Sequence, residues 1–230
     1  MSKLRARTPD EAYLFVELVA GGEEPVDLYR LTEMVLDDNR PVLRVKGRHA
    51  GRHHDFEITM PPVSQKAALR GELYGCGHTP STLIDAGQWR AVELWACSII
   101  EQLLEQSGGR GLDPTALGAV AAHVDAAYSA LAEIDKFLPE GDAEIPDDAF
   151  WTADGIAIRG SQPGAFRRER LVADEANYRS MGEELATLQA QVGHDAGHSA
   201  AYVIGHDAEP PVATPGGSTS TATYSSLPQK

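Results

Sequence analysis

Positive charge, cysteine and long apolar runs are all scarce in this 230-residue chain, and each shortage closes off a class of protein. Lys and Arg number 20 against 34 Asp and Glu, for a net charge of −14. Such a balance favours solubility and repels phosphate backbones, which disfavours nucleic acid and anionic membrane as partners of the whole chain. Cysteine occurs twice, Cys76 in a Gly-rich loop and Cys97 in an apolar run, too sparse for a secreted disulfide scaffold. No apolar stretch approaches the ~18 residues of a membrane span. Lys3, Arg5 and Arg7 precede an apolar stretch at 13–20, but Asp10, Glu11 and Glu17 break any signal peptide there. The cytoplasm is the expected compartment. Aromatics are only 7% of residues, yet 42% hydrophobic content at this length suffices for a core without disulfide or metal.

What is present divides into four parts. Residues 1–62 make the first, a β subdomain in which 13–60 keep a period nearer two than 3.6. Residues 13–19 (Tyr-Leu-Phe-Val-Glu-Leu-Val) read as a first strand ending at Gly21-Gly22, residues 26–36 as a second, 41–46 as a third and 54–60 as a fourth. Asp37-Asp38-Asn39 supplies turn chemistry, and 47–51 a hairpin loop. Residues 63–84 form an irregular linker punctuated by Gly71, Gly75, Gly77 and Pro80. Residues 85–192 carry helical periodicity. Asp85 caps a helix bearing Trp89, Val92, Trp95 and Ile99 that stops at Ser107-Gly108-Gly109. Asp113-Pro114 opens a second, with Leu117, Val120, Val124, Leu131 and Ile134, running to Leu138. A third follows Gln162-Pro163-Gly164, and residues between the second and third are a connector. Residues 193–230 lose the pattern and, from Glu209, become Pro, Ser, Thr and Gly, the composition of a disordered tail. The class is α+β, an antiparallel meander followed by three long helices. The length of the linker favours two packed subdomains over one core.

Candidate chemistry is sparse. His49 and His53 are four apart in the 47–54 loop, but two imidazoles are half of a closed zinc site and no cysteine pair completes it. His194-Asp-Ala-Gly-His198 approximates the H-E-x-x-H metalloprotease pattern, with His206 eight residues on. Asp is a methylene shorter than Glu, and Gly193 and Gly197 weaken the helix such a site needs. Gly75-Cys76-Gly77-His78 sets a thiol beside an imidazole without a third orienting group. Arg167, Arg168 and Arg170 open the third helix, where they either clamp an anion or pair with carboxylates such as Glu133 or Asp135. Arg44 and Lys46 share one strand face, with Arg40, Arg48 and Arg52 nearby, but no aromatics for base stacking interleave with them.

Several segments carry a resemblance: Thr8-Pro-Asp-Glu-Ala-Tyr-Leu14, Asp55-Phe-Glu-Ile-Thr-Met-Pro61, Asp85-Ala-Gly-Gln-Trp89, Glu133-Ile-Asp-Lys-Phe-Leu-Pro139, Pro146 with Phe150, and Pro163-Gly-Ala-Phe-Arg-Arg168. In their order the chain resembles a group of uncharacterised actinomycete proteins with a zinc-ribbon-like N-terminal domain and a helical C-terminal domain. The resemblance implies two cysteine knuckles, one near Ala20-Gly21-Gly22 and one on Gly47-Arg-His-Ala50. Neither holds a cysteine here, so it implies a degenerate, metal-free ribbon and no resident cofactor. It implies no activity.

The expectation is therefore a non-enzymatic interaction or adaptor module with an unidentified protein partner. A metal-dependent hydrolase using the His194-Asp195-Ala196-Gly197-His198 segment, with His206 as a further ligand and zinc as the candidate metal, is the first alternative. A nucleic-acid-binding ribbon using Arg44, Lys46, Arg48 and Arg52 is the second. Oligomeric state is not set by these residues.

Overall fold

A computed structural model describes residues 4–21, 26–62, 78–108 and 111–203, with side chains to residue 191. Its architecture is α+β, a small four-stranded sheet followed by helices. No helix among the described residues is long and apolar enough to cross a membrane.

The chain opens with a two-residue strand, β1 (Leu4–Arg5), and then helix α1 (Pro9–Ala20). Residues 13–19 are thus helical rather than the expected strand. Start signals decide it: the Thr8 hydroxyl accepts the Glu11 amide at 3.1 Å, Pro9 occupies the first turn, and Asp10 and Glu11 complement the helix dipole. Leu14 and Val16 imitate a strand, but Ala12, Val16 and Ala20 are buried at four-residue spacing. The expected second strand also begins as a helical turn, α2 (Leu28–Leu31), capped by Asp27.

Strands β2 (Thr32–Asp37), β3 (Arg40–His49) and β4 (Arg52–Thr59) form the antiparallel meander, and β1 adds to β4 in parallel, giving the order β1-β4-β3-β2. Both hairpins turn on two residues with positive φ, Asp38 (45°) with Asn39 (61°) and Ala50 (47°) with Gly51 (77°). These are the angles a tight right-twisted hairpin requires. The 47–51 loop is accordingly shorter than expected, because β3 continues to His49.

Helix α3 (Ala86–Ser107) starts in a capping box between Asp85 and Gln88 and ends at Gly108 in the left-handed region (φ 58°). Helix α4 (Pro114–Asp135) starts at the Asp113 cap and stops three residues before Leu138. The connector holds a helix unforeseen from sequence, α5 (Ala153–Ser161), capped by Thr152. Phe166 lies in a one-turn 3-10 helix (Pro163–Phe166), and the last helix, α6, runs from Arg168 to Val203. It begins later than expected and continues through Gly193, where a stop was expected. Residues 204–230, the rest of the expected tail, lie outside the described residues.

Sheet and helices share a buried cluster. Leu43, Val45 and Ile58 of the sheet and Ala12 and Val16 of α1 belong to the same core as Trp89, Leu131, Ile134, Ile145 and Phe166. Arg7 ties the two regions polar-wise, reaching Glu11 of α1 and Glu133 of α4, both at 2.6 Å. The sheet, α1 and parts of the helices thus share one buried cluster.

Candidate functional site

Helix α4 packs against both α3 and α6, while polar side chains span the space between α3 and α6. Helical spacing builds this seam. Arg90, Glu93 and Cys97 stand at i, i+3 and i+7 of α3, and Arg170, Asp174 and Tyr178 at i, i+4 and i+8 of α6. Arg90 Nη1 donates to Glu93 Oε2 at 2.5 Å and to Asp174 Oδ2 at 3.2 Å. Arg170 caps the other side of Asp174 at 2.9 and 3.1 Å. The Tyr178 hydroxyl donates to Glu93 Oε1 at 2.8 Å and lies 3.0 Å from Cys97 Sγ. Arg90, Glu93 and Asp174 are all buried.

Two cations face two carboxylates, so the seam is balanced. Burial raises the Glu93 carboxyl above its ordinary value, with Arg90 and the Tyr178 hydroxyl opposing. Burial opposes the Arg90 charge, but Glu93 and Asp174 outweigh it and hold the guanidinium above its usual value. Burial, then Glu93, raises Tyr178. Burial also raises the Cys97 thiol, in part offset by Tyr178. A thiol held protonated is a poor nucleophile, so the arrangement fits a seam that orients α6 on α3. Arg90 and Glu93 escaped the sequence reading because they lie beside the apolar stripe. Their signal is the three- and four-residue spacing to Cys97.

At its far end the seam becomes apolar. Ile100, Leu117, Val120, Val124 and Leu185 form a separate buried cluster against Leu103 and Met181. Next on the same stripes come Leu104 and Leu188, each 47% exposed. Exposed acids lie one helical turn before each, Glu101 three residues before Leu104 and Glu184 four before Leu188. The Arg90–Asp174 and Cys97–Tyr178 contacts put Ser107, the last residue of α3, level with about residue 190 of α6. Since α6 continues to Val203, its backbone outruns α3 by roughly 20 Å.

The sequence candidates are dispersed. His49 and His53 do not converge. The register pairs His49 with Arg52 and Arg48 with His53, so the two imidazoles take opposite faces of the hairpin. Their four-residue spacing would join them on a helix, not across a tight turn. His54 is the buried histidine, edge-on to Phe56 at 6.5 Å, and burial lowers its pKa, followed by the nearby His49, His53 and Arg52. Arg44 bonds Glu57 at 2.9 Å, and Lys46 pairs in register with Asp55, so that sheet face alternates in charge rather than forming a basic strip. The arginines around the start of α6 also diverge. Arg167 approaches Glu144 at 3.8 Å, Arg168 donates to the carbonyls of Asp142 and Pro139, and only Arg170 enters the seam. Glu133 pairs instead with Arg7 and Lys136. Cys76 lies outside the described residues, as does His206. The backbone is helical through His194 and His198, one turn apart, but their side chains are outside the described residues. Among the described residues no group of three or more His, Cys, Asp or Glu is placed to hold a metal.

The position of the first implied knuckle, Ala20-Gly21-Gly22, begins at the C-terminal end of α1 rather than in a hairpin. No protein-family model, curated protein or solved structure matches the chain.

Proposed function

We propose that this chain is a non-enzymatic protein-interaction module that receives a basic, amphipathic helix of a partner at the open end of the α3–α6 seam. The observation that carries the reading is the pair of stripes Ile100–Leu104 and Leu185–Leu188. Their inner members are buried and their outer members are each 47% exposed, beside an α6 backbone that continues past the end of α3. Each half-exposed leucine offers about 1 kcal/mol on full burial. The acidic residues one turn before them, and a net charge of −14, select a basic rim on the incoming helix. Such a helix would lie beside α3 and α6 as an added member of the bundle.

The probe is a synthetic Leu/Lys amphipathic helical peptide, titrated against the full chain by calorimetry. Saturable binding, weakened about fivefold by Leu104→Ser or Leu188→Ser, is expected. Added salt weakens it further, because the rim contacts are exposed. Both substitutions preserve charge, so binding that ignores them reflects attraction between opposite charges alone and overturns the site. No binding overturns it equally.

A further inference from the structure

We propose that β2 is a dimerisation edge, and that two copies of this chain pair antiparallel through it about a two-fold axis at Met34. The surface is separate from the end of the α3–α6 seam. β2 is terminal in the sheet, and among the described residues no strand pairs with its outer side. Edge strands are ordinarily guarded by proline, a bulge or a charge pointing inward. Here the residues on the side of Leu43 and Val45 are Thr32, Met34 and Leu36, none of them charged. Met34 is 41% exposed, Leu36 73%, and Tyr29 just before the strand 88%.

Backbone direction adds to this. In a two-residue hairpin the residues flanking the turn, Asp37 and Arg40, are the hydrogen-bonded pair, so Glu33, Val35 and Asp37 bond β3. Pro41 agrees, since its carbonyl turns away from β2 and accepts the Met60 amide at 3.0 Å. Met34 and Leu36 therefore aim their N–H and C=O groups outward. Thr32 offers only its carbonyl, because its N–H bonds Leu28.

Charge selects the occupant and the register. A two-fold axis normal to the sheet keeps the helix-covered faces on one side and allows only pairings whose residue numbers sum to an even value. Two such registers pair five residues of β2. Centring on Val35 sets Glu33 opposite Asp37 twice, a like-charge confrontation. Centring on Met34 sets Glu33 opposite Val35 and Thr32 opposite Leu36, with Met34 against itself. It also brings the acidic turn Asp37-Asp38 of each copy to the end at which the other carries Arg30.

Sedimentation equilibrium of the full chain, from micromolar to sub-millimolar and at low and high salt, tests the pairing. A reversible dimer is expected, tighter at high salt because each copy carries −14. Met34→Lys sets two ammonium groups face to face and weakens it at least tenfold. Val35→Lys discriminates the registers. About the Met34 axis each new Lys meets Glu33 and tightens the dimer about fivefold, whereas about Val35 the lysines meet each other. Circular dichroism confirms that both variants fold. A chain monomeric throughout, a dimer indifferent to Met34→Lys, or loosening by Val35→Lys each overturns the proposal.

Discussion

Replacing Asp85 by alanine is expected to cost about 4–6 kcal/mol, far more than the loss of one helix cap. The carboxylate is fully buried and serves two helices. Oδ1 accepts the Gln88 amide at 2.8 Å, which caps α3. Oδ2 accepts the Trp151 amide at 3.1 Å, the Thr152 amide at 2.7 Å and the Thr152 hydroxyl at 2.6 Å, which anchors the start of α5. A lost cap accounts for about 1 kcal/mol, and each of the three half-buried donors left without Oδ2 adds about 1 to 1.5. Asparagine can turn its oxygen to the three donors at α5 and leave only Gln88 facing an NH2, so Asp85→Asn should cost about 2 kcal/mol. Gly155 supplies the cross-check. A Cβ there would lie 2.5 Å from Asp85 Cγ and nearer still to its oxygens. Gly155→Ala is therefore destabilising alone, and less so when Asp85 is already alanine, a coupling of at least about 1 kcal/mol. Urea unfolding of the four chains of this cycle, followed by circular dichroism, measures it. An Asp85→Ala cost near 1 kcal/mol, or strict additivity with Gly155→Ala, would refute the double anchorage.

Two further outcomes follow from the geometry. Burial raises the Glu17 carboxyl from 4.5 to about 7. The folded chain then holds a proton that the unfolded chain releases between those values, so stability falls as pH rises across the window, by at most about 3 kcal/mol. Glu17→Gln should flatten that segment of the stability curve and exceed the native chain above pH 7; an unchanged slope would show the carboxyl to be solvated. Elemental analysis of chelator-free protein addresses the helical backbone at His194 and His198. A zinc content far below stoichiometric is expected, and about one zinc per chain that His198→Ala abolishes would establish the metal site instead.

The legible parts of this fold are those in which neighbours along the chain supply the physics. Asp85 and Asp113-Pro114 announce α3 and α4 because a cap bonds amides within its own first turn. Asp38-Asn39 announces a hairpin because these residues tolerate positive φ, and β3 and β4 alternate because one face is buried. Residues 13–19 were legible in principle: Thr8-Pro9-Asp10-Glu11 is a helix start, but the alternation of Leu14 and Val16 competes with it. The α3–α6 seam was half legible, for Arg170 stands out in sequence while Arg90 and Glu93 do not.

By itself, then, the sequence determined an acidic α+β chain, the starts of α3 and α4, the meander and its first tight turn. Tertiary structure alone decided that β1 pairs in parallel with β4, 54 residues away from Leu4 at Ile58. It likewise decided that Arg7 reaches Glu133, that Asp85 anchors α5 as well as α3, and that His49 and His53 part to opposite faces. Caps, turns and periodicity are set over a few residues, so composition and spacing record them. Contacts between distant segments depend on which buried faces meet, and a charge at Arg90 looks the same in the sequence whether it meets Asp174 or water.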